Sequence, residues 1–160
     1  MAIAVDEKIQ TATSVLPIIL YAAALVLGLL DVNFPFANGE LRPLAQWMLF
    51  LSLGLTSLWS ASGHALLTDR VARSIGWDPS PFQLEVAGAN LGIALAAITA
   101  TFLGPGAAWA TLLVAASFLW GAAVVHVNDI SRKGNFSINN AGPILWWDIL
   151  TPLTLLIALL

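Results

Sequence analysis

The chain consists of long apolar runs separated by short polar stretches. A helix needs about 20 apolar residues to cross a hydrocarbon core of roughly 30 Å, and five runs approach that length. The pattern therefore predicts an all-α fold, a polytopic transmembrane helix bundle with five spans in a single transmembrane domain, residues 1–160. We expect the spans at residues 13–30, 43–67, 80–103, 107–128 and 141–160.

Three local signals refine the ends of these spans. Residues 80–83 (Ser-Pro-Phe-Gln) place a hydroxyl at N-cap, proline at N1 and glutamine at N3, which predicts a capping box for the third span. Asn140 is expected to cap the fifth span in a similar way. Residues 104–106 (Gly-Pro-Gly) predict a tight turn, so the third and fourth spans should form an antiparallel hairpin.

The composition supports a membrane location. Hydrophobic residues make up 59% of the chain and charged residues only 9%, whereas a soluble domain has about 25% charged residues. Most of the surface must therefore face the lipid bilayer. Six basic against nine acidic residues give a net charge of −3, which offers no basic patch and excludes a nucleic-acid partner. The absence of cysteine excludes disulfides and thiolate metal sites.

The loop charges predict the orientation. Five spans would put the N-terminus and the loops at 68–79 and 129–140 on one side of the membrane. That side carries the larger number of basic residues: Lys8, Arg70, Arg73, Arg132 and Lys133, against Arg42 on the other. The positive-inside rule then places the N-terminus in the cytoplasm and the C-terminus outside. Because the charges at residues 6–8 are of mixed sign, we expect a permanent first helix rather than a cleaved signal peptide.

Four ionisable residues lie inside the predicted spans: His64, Glu85, His126 and Asp148. A charged side chain in the bilayer core costs at least about 2.5–3.5 kcal/mol, so each of them requires a physical reason. His64 and His126 each lie six residues before a cytoplasmic arginine (Arg70 and Arg132), and Glu85 and Asp148 lie five and seven residues after the cytoplasmic starts of their helices. At 1.5 Å per residue they share a depth of about 8–10 Å. Four helices thus offer one ionisable group each at one level.

Small residues on the same helical faces suggest that these groups point into the bundle. Glu85 shares its face with Gly88 and Gly92, a spacing typical of close helix packing. The same glycines leave homo-oligomerisation open. Two further polar residues are expected to support the cluster, Ser60 and Asn90.

The cluster is compatible with several functions. Imidazole and carboxylate groups suit Fe, Mn or Zn, so the four residues are candidate metal ligands. They could instead form a proton relay for proton or small-solute conduction, or the wall of a pocket for a small polar ligand. His64 and His126 are also candidate axial ligands of a haem b. The alternatives without a ligand are paired residues that fix helix register, or an accessory subunit of a larger membrane complex.

Several signatures, at 63–64 (Gly-His), 80–85 (Ser-Pro-Phe-Gln-x-Glu), His126, and 140–143 (Asn-x-Gly-Pro) followed by Asp148, resemble those of an uncharacterised family. This family, a domain of unknown function, consists of small multi-pass prokaryotic membrane proteins. The resemblance implies a prokaryotic inner (cell) membrane and supplies no activity. Trp77 is interpreted as an interfacial anchor and Asp129 as a solvated helix end.

Overall fold

The computed structural model describes residues 14–35 and 39–160, and within them every regular element is helical. The helices are α1 (Leu16–Leu29), α2 (Pro43–Leu66), α3 (Thr68–Ile75), α4 (Phe82–Leu103), α5 (Pro105–Lys133), α6 (Ile138–Ala141) and α7 (Pro143–Leu159). The predicted all-α class is confirmed. Lys8 and the predicted start of the first span at residue 13 lie outside the described residues.

Four helical stretches in this part of the chain are long and apolar enough to cross a membrane: α2, α4, α5, and α6 together with α7. The protein is therefore a multi-pass membrane protein. α1 is apolar but has only 14 residues, a length of about 21 Å at 1.5 Å per residue. The first predicted span thus corresponds to a helix shorter than the roughly 30 Å of the hydrocarbon core.

α4 and α5 form the expected hairpin, in which Gly104 at φ 89° separates the two helices. The buried face of α4 carries small residues at helical spacing, including Ala87, Ala94 and Ala97. Small side chains allow neighbouring helices to approach closely. The predicted packing face of Gly88 and Gly92 is wrong: both are exposed, and a methyl group added at either would meet no atom within 4 Å.

The middle of α2 is a π-helical segment, Met48–Leu55. Hydrogen bonds from this segment hold α2 against α7. The indole N–H of Trp147 donates to the Ser52 carbonyl over 2.8 Å, and the hydroxyls of Ser52 and Thr151 are 2.8 Å apart. Ser52 lies within this irregular segment, and its carbonyl accepts from a side chain of the neighbouring helix, as is common where membrane helices depart from regular geometry. These contacts fix the rotation of α7 and turn its Asp148 side chain inward, between α2 and α5.

α1 packs on the outside of α2 and α7. Gly28 lies directly against α2, because an added Cβ would be 2.5 Å from the Leu44 Cα. Tyr21 on α1 has its hydroxyl 2.9 Å from that of Thr154 on α7. α1 therefore supports the bundle without contributing a residue to the cavity described below.

The connections after α3 and α5 meet at one end of the bundle. The Asn135 amide donates to the Ile75 carbonyl over 2.8 Å, and the Asn139 amide donates to the Ser74 hydroxyl over 2.9 Å. Gly76, at φ 85°, ends α3 where any side chain would run into Asn135. This pairing of two loops brings the residues that follow α3 and the residues of α6 next to the end of α5.

Candidate functional site

A cavity of about 410 Å³ lies between α2, α4, α5 and α7. Its polar lining residues include five that the sequence singled out, namely Ser60, His64, Asn90, His126 and Asp148. Much of the remaining wall is aromatic, including Trp77, Phe82, Phe118 and Trp147. A mostly apolar cavity with a few polar groups is the usual form of a small-molecule site.

Glu85 does not belong to this cavity, contrary to the sequence-based expectation. Its side chain is exposed and is not part of the cavity wall, whereas Gln83 and Ala87 on the same helix are buried. Two residues along a helix correspond to about 200° of rotation, so Glu85 points to the side opposite its buried neighbours. The exposed Gly88 lies one turn further along that outer side.

The predicted metal centre is not supported either. Among residues 14–35 and 39–160, no group of three or more His, Asp or Glu side chains is close enough to hold a metal ion. His126 and Asp148 approach each other, but Glu85 faces outward and His64 pairs with an amide instead. Two neighbouring ligands are fewer than the three or four protein ligands of typical metal sites.

His126 is held by a buried amide. Its Nδ1 is 2.7 Å from Oδ1 of Asn140, which is fully buried. The Asn140 Nδ2 donates to the carbonyls of Asn135, at 2.8 Å, and of His126, at 3.4 Å. Because both amide hydrogens have acceptors, Oδ1 is the atom left to accept, and Nδ1 of His126 carries the donating hydrogen. In the neutral ring, Nε2 is then a lone-pair acceptor.

Asp148 lies opposite that nitrogen. Its Oδ2 is 3.6 Å from His126 Nε2, beyond hydrogen-bonding distance, and this oxygen has no hydrogen-bond partner although the residue is 2% exposed. Pro152 four residues later has no N–H, so the Asp148 main-chain carbonyl also lacks its helical donor. Asp148 therefore has unused acceptor capacity in a buried position.

Asn90, which also lines the cavity, carries a second unpaired acceptor. Its Nδ2 donates to the Val86 carbonyl over 3.0 Å, which fixes the amide orientation, and its buried Oδ1 has no partner. In the described part of the chain four buried side-chain atoms lack a partner. Those of Asn90 and Asp148 belong to cavity residues, and those of Gln46 and Ser57 do not.

His64, like His126, is held by a side-chain amide. Its Nδ1 is 2.6 Å from the Gln83 Oε1, so Nδ1 donates to an amide oxygen. The neutral ring then keeps Nε2 as an acceptor. The predicted capping box is wrong, because Pro81 is the N-cap of α4 and no side chain caps the helix. Gln83 is buried and holds a histidine of another helix instead.

Trp77 closes the cavity at the loop end. Its ring stacks on that of His126, with 6.0 Å between centroids and 16° between planes. Its indole N–H donates to Asp129 Oδ2 over 2.7 Å, and the other oxygen of Asp129 is 2.8 Å from Lys133 Nζ. Asp129 is buried and supports Trp77, so the interpretation of Asp129 as a solvated helix end is wrong, whereas Trp77 as an interfacial anchor stays a prediction.

Sequence reasoning therefore missed four supporting residues, which are Gln83, Trp77, Asp129 and Asn140. An amide near a helix start can cap its own backbone or bond to a neighbouring helix, and both arrangements satisfy the same polar group. One feature of the sequence could have identified Gln83 and Asn140 as histidine partners: each lies beside an apolar run, on a helix expected to approach a histidine.

Fold and site together define a multi-pass helical membrane protein with a partly polar cavity between its helices. The chain belongs to the "Family of unknown function (DUF6790)", whose model matches residues 13–160. The resemblance to an uncharacterised family is thereby confirmed. No curated protein and no solved structure matches the chain.

The support of His126 by Asn140 is testable by stability. Asn140→Leu leaves the His126 Nδ1–H and the Asn135 carbonyl without partners, so we expect a loss of about 2–3 kcal/mol in unfolding free energy. The control is Asn128→Leu at an exposed position of α5. Unfolding in mixed detergent micelles by SDS titration measures both. Equal midpoints for the two variants would contradict a structural role for the Asn140 amide.

Proposed function

We propose that this protein binds a small organic cation that carries N–H groups, a protonated amine, in the cavity between α2, α4, α5 and α7. The observation that carries the proposal is the pair of buried, unpartnered oxygens in its lining residues, Asp148 Oδ2 and Asn90 Oδ1. An unpaired buried acceptor is costly, and a bound donor removes that cost. This proposal replaces the metal site predicted from the sequence.

The polar chemistry of the wall favours donors over acceptors as ligands. Three hydrogens that could face the cavity are committed inside the protein: the indole N–H of Trp77 to Asp129, that of Trp147 to Ser52, and one amide hydrogen of Asn90 to Val86. The Nε2 atoms of the two neutral histidines add to the acceptors. A primary ammonium group has three N–H donors and no acceptor, so it complements such a wall. An anion would meet lone pairs instead.

The apolar part of the wall favours the same ligand class. Trp77, Phe82, Phe118 and Trp147 bring aromatic rings to the cavity. Aromatic faces attract cations, most strongly where water is excluded. The carboxyl group of Asp148 supplies the matching charge. A volume of about 410 Å³ is within the range of sites for small organic molecules.

Conduction of a proton or small solute, self-association, and membership of a larger membrane complex stay predictions. No contact among residues 14–35 and 39–160 favours any of them over ligand binding. Conduction would use the same polar residues, and it would also require access from both faces of the membrane.

We further propose that α1 is a fifth span, with the N-terminus in the cytoplasm of a prokaryotic cell. The support is the distribution of basic residues: Arg70 and Arg73 of α3, and Arg132 and Lys133 at the end of α5, lie next to the two connections that meet at one bundle end. The α4–α5 turn lies at the other end. Cytoplasmic loops are enriched in arginine and lysine.

Cysteine labelling tests this orientation, because the chain has no native cysteine. Gly106→Cys lies at the α4–α5 turn and Ser131→Cys near the end of α5, and both positions are exposed. A membrane-impermeant maleimide should label Gly106→Cys in intact cells and Ser131→Cys only after permeabilisation. The reverse pattern would overturn the orientation.

Ligand binding is tested by calorimetry on the full chain in lipid nanodiscs. We expect n-butylammonium to bind more tightly than tetramethylammonium, which has charge without N–H donors, and more tightly than n-butanol, which lacks charge. Asp148→Asn should weaken n-butylammonium binding by about tenfold or more, since a hydrogen bond to a charged group contributes about 1.5–3 kcal/mol.

Glu85→Gln is the matched control, because it removes a carboxylate of α4 that lies outside the cavity. It should leave the affinity for n-butylammonium unchanged. Absence of n-butylammonium binding, or equal losses in the two variants, would refute the proposed site.

A further inference from the structure

We infer that an amine entering the cavity expels one proton carried by either Asp148 or His126, so that binding exchanges one cation for one proton. The inference rests on the proposed function, because it concerns the same cavity and the same class of ligand. It adds a coupling that cavity shape alone does not imply.

The His126–Asp148 pair has one position for a proton. The Nδ1–H of His126 is committed to Asn140, so only Nε2 faces Asp148. Nε2 and Oδ2 are 3.6 Å apart, and both side chains are more than nine-tenths buried. Two bare lone pairs at that separation repel each other. One proton on either atom, as carboxylic acid beside imidazole or as carboxylate beside imidazolium, removes the repulsion and makes the pair neutral overall.

Among the described residues that line the cavity, the other helices contribute no further charged side chain. α2 contributes His64, whose Nδ1 is bound to Gln83. α4 contributes the neutral amide of Asn90, and its only carboxylate, Glu85, is exposed outside the cavity.

α5 itself carries Asp129 one turn beyond His126, and the connection after α3 carries Trp77. Asp129 does not line the cavity, and its two oxygens contact Lys133 and Trp77. Arg70 of α3 does not line the cavity; it lines a neighbouring groove of about 390 Å³ that shares Ser60, His64 and Ile144 with it. The charge that an arriving cation meets is therefore set by the His126–Asp148 pair.

Charge balance then determines the stoichiometry. An ammonium group added to a neutral buried pair would leave an uncompensated positive charge in a low-dielectric site, which is strongly unfavourable. Loss of the shared proton to the solvent leaves a carboxylate and a neutral imidazole, and the ammonium N–H then donates to Asp148 Oδ2. One cation enters, one proton leaves and the site stays neutral. No covalent bond between heavier atoms changes.

The test is titration of n-butylammonium into the full chain in lipid nanodiscs, at one pH, in phosphate and in HEPES, neither of which is a primary ammonium ion. These buffers differ in ionisation enthalpy, so the difference in apparent binding enthalpy counts the protons released. We expect one proton per amine, and an affinity that rises about tenfold per pH unit while the amine stays protonated. Empty nanodiscs provide the background.

The variants identify the source of the proton. Glu85→Gln should still release one proton per amine, and residual binding to Asp148→Asn at high amine concentration should release none. Binding to the wild-type protein without proton release overturns the exchange and leaves the proposed function intact. Failure of n-butylammonium to bind overturns both. Proton release by Asp148→Asn that equals the wild-type value also overturns the exchange.

Discussion

The structure depends on one constraint: a polar group buried in a membrane bundle must find its hydrogen-bond partner within the protein. Most of the buried polar side chains here meet it through contacts between different helices. Gln83 of α4 holds His64 of α2, Asn140 of α6 holds His126 of α5, and Trp147 of α7 donates to the α2 backbone. The oxygens of Asp148 and Asn90 do not meet it, and both residues line one cavity. Of the four unpartnered buried atoms in the described residues, these two belong to residues that line the same cavity, and on them rests the proposed ligand site.

Irregular backbone geometry positions these groups. The π-helical segment of α2 offers the Ser52 carbonyl to Trp147, which sets the rotation of α7 immediately before Asp148. Gly142 separates α6 from α7, and any side chain there would collide with the Ile138 carbonyl, so the short α6 can turn Asn140 towards His126. Such departures from regular helix are tolerated in membranes where other protein groups satisfy the backbone.

Much of the architecture follows from the sequence, because hydrophobic length and the cost of buried charge are strong constraints. Hydrophobic length predicts the four long helices, and the cost of buried charge singles out His64, His126 and Asp148 as candidate site residues. The prediction fails for Glu85 because small residues were assumed to mark the packed face. Alanine forms that face of α4, while Gly88 and Gly92 lie with Glu85 on the open side. Sequence spacing gives the angle between residues on a helix and leaves undecided which side is buried.

The partners of the histidines were harder to predict for a related reason. Gln83 and Asn140 lie at positions where an amide commonly caps a helix, and only the three-dimensional approach of α2 and α5 turns them into histidine partners. The tautomers of both rings, and with them the acceptor character of the cavity, follow from these two contacts. The chemistry of the site thus depends on tertiary packing more than on any motif.

An experimental structure of the protein with bound n-butylammonium tests the central claim most directly. The amine nitrogen should lie about 3 Å from both Asp148 Oδ2 and Asn90 Oδ1, within hydrogen-bonding distance of each, with its alkyl chain against the aromatic wall. Density for the amine at another place on the protein, with these two oxygens still unpartnered, would contradict the account.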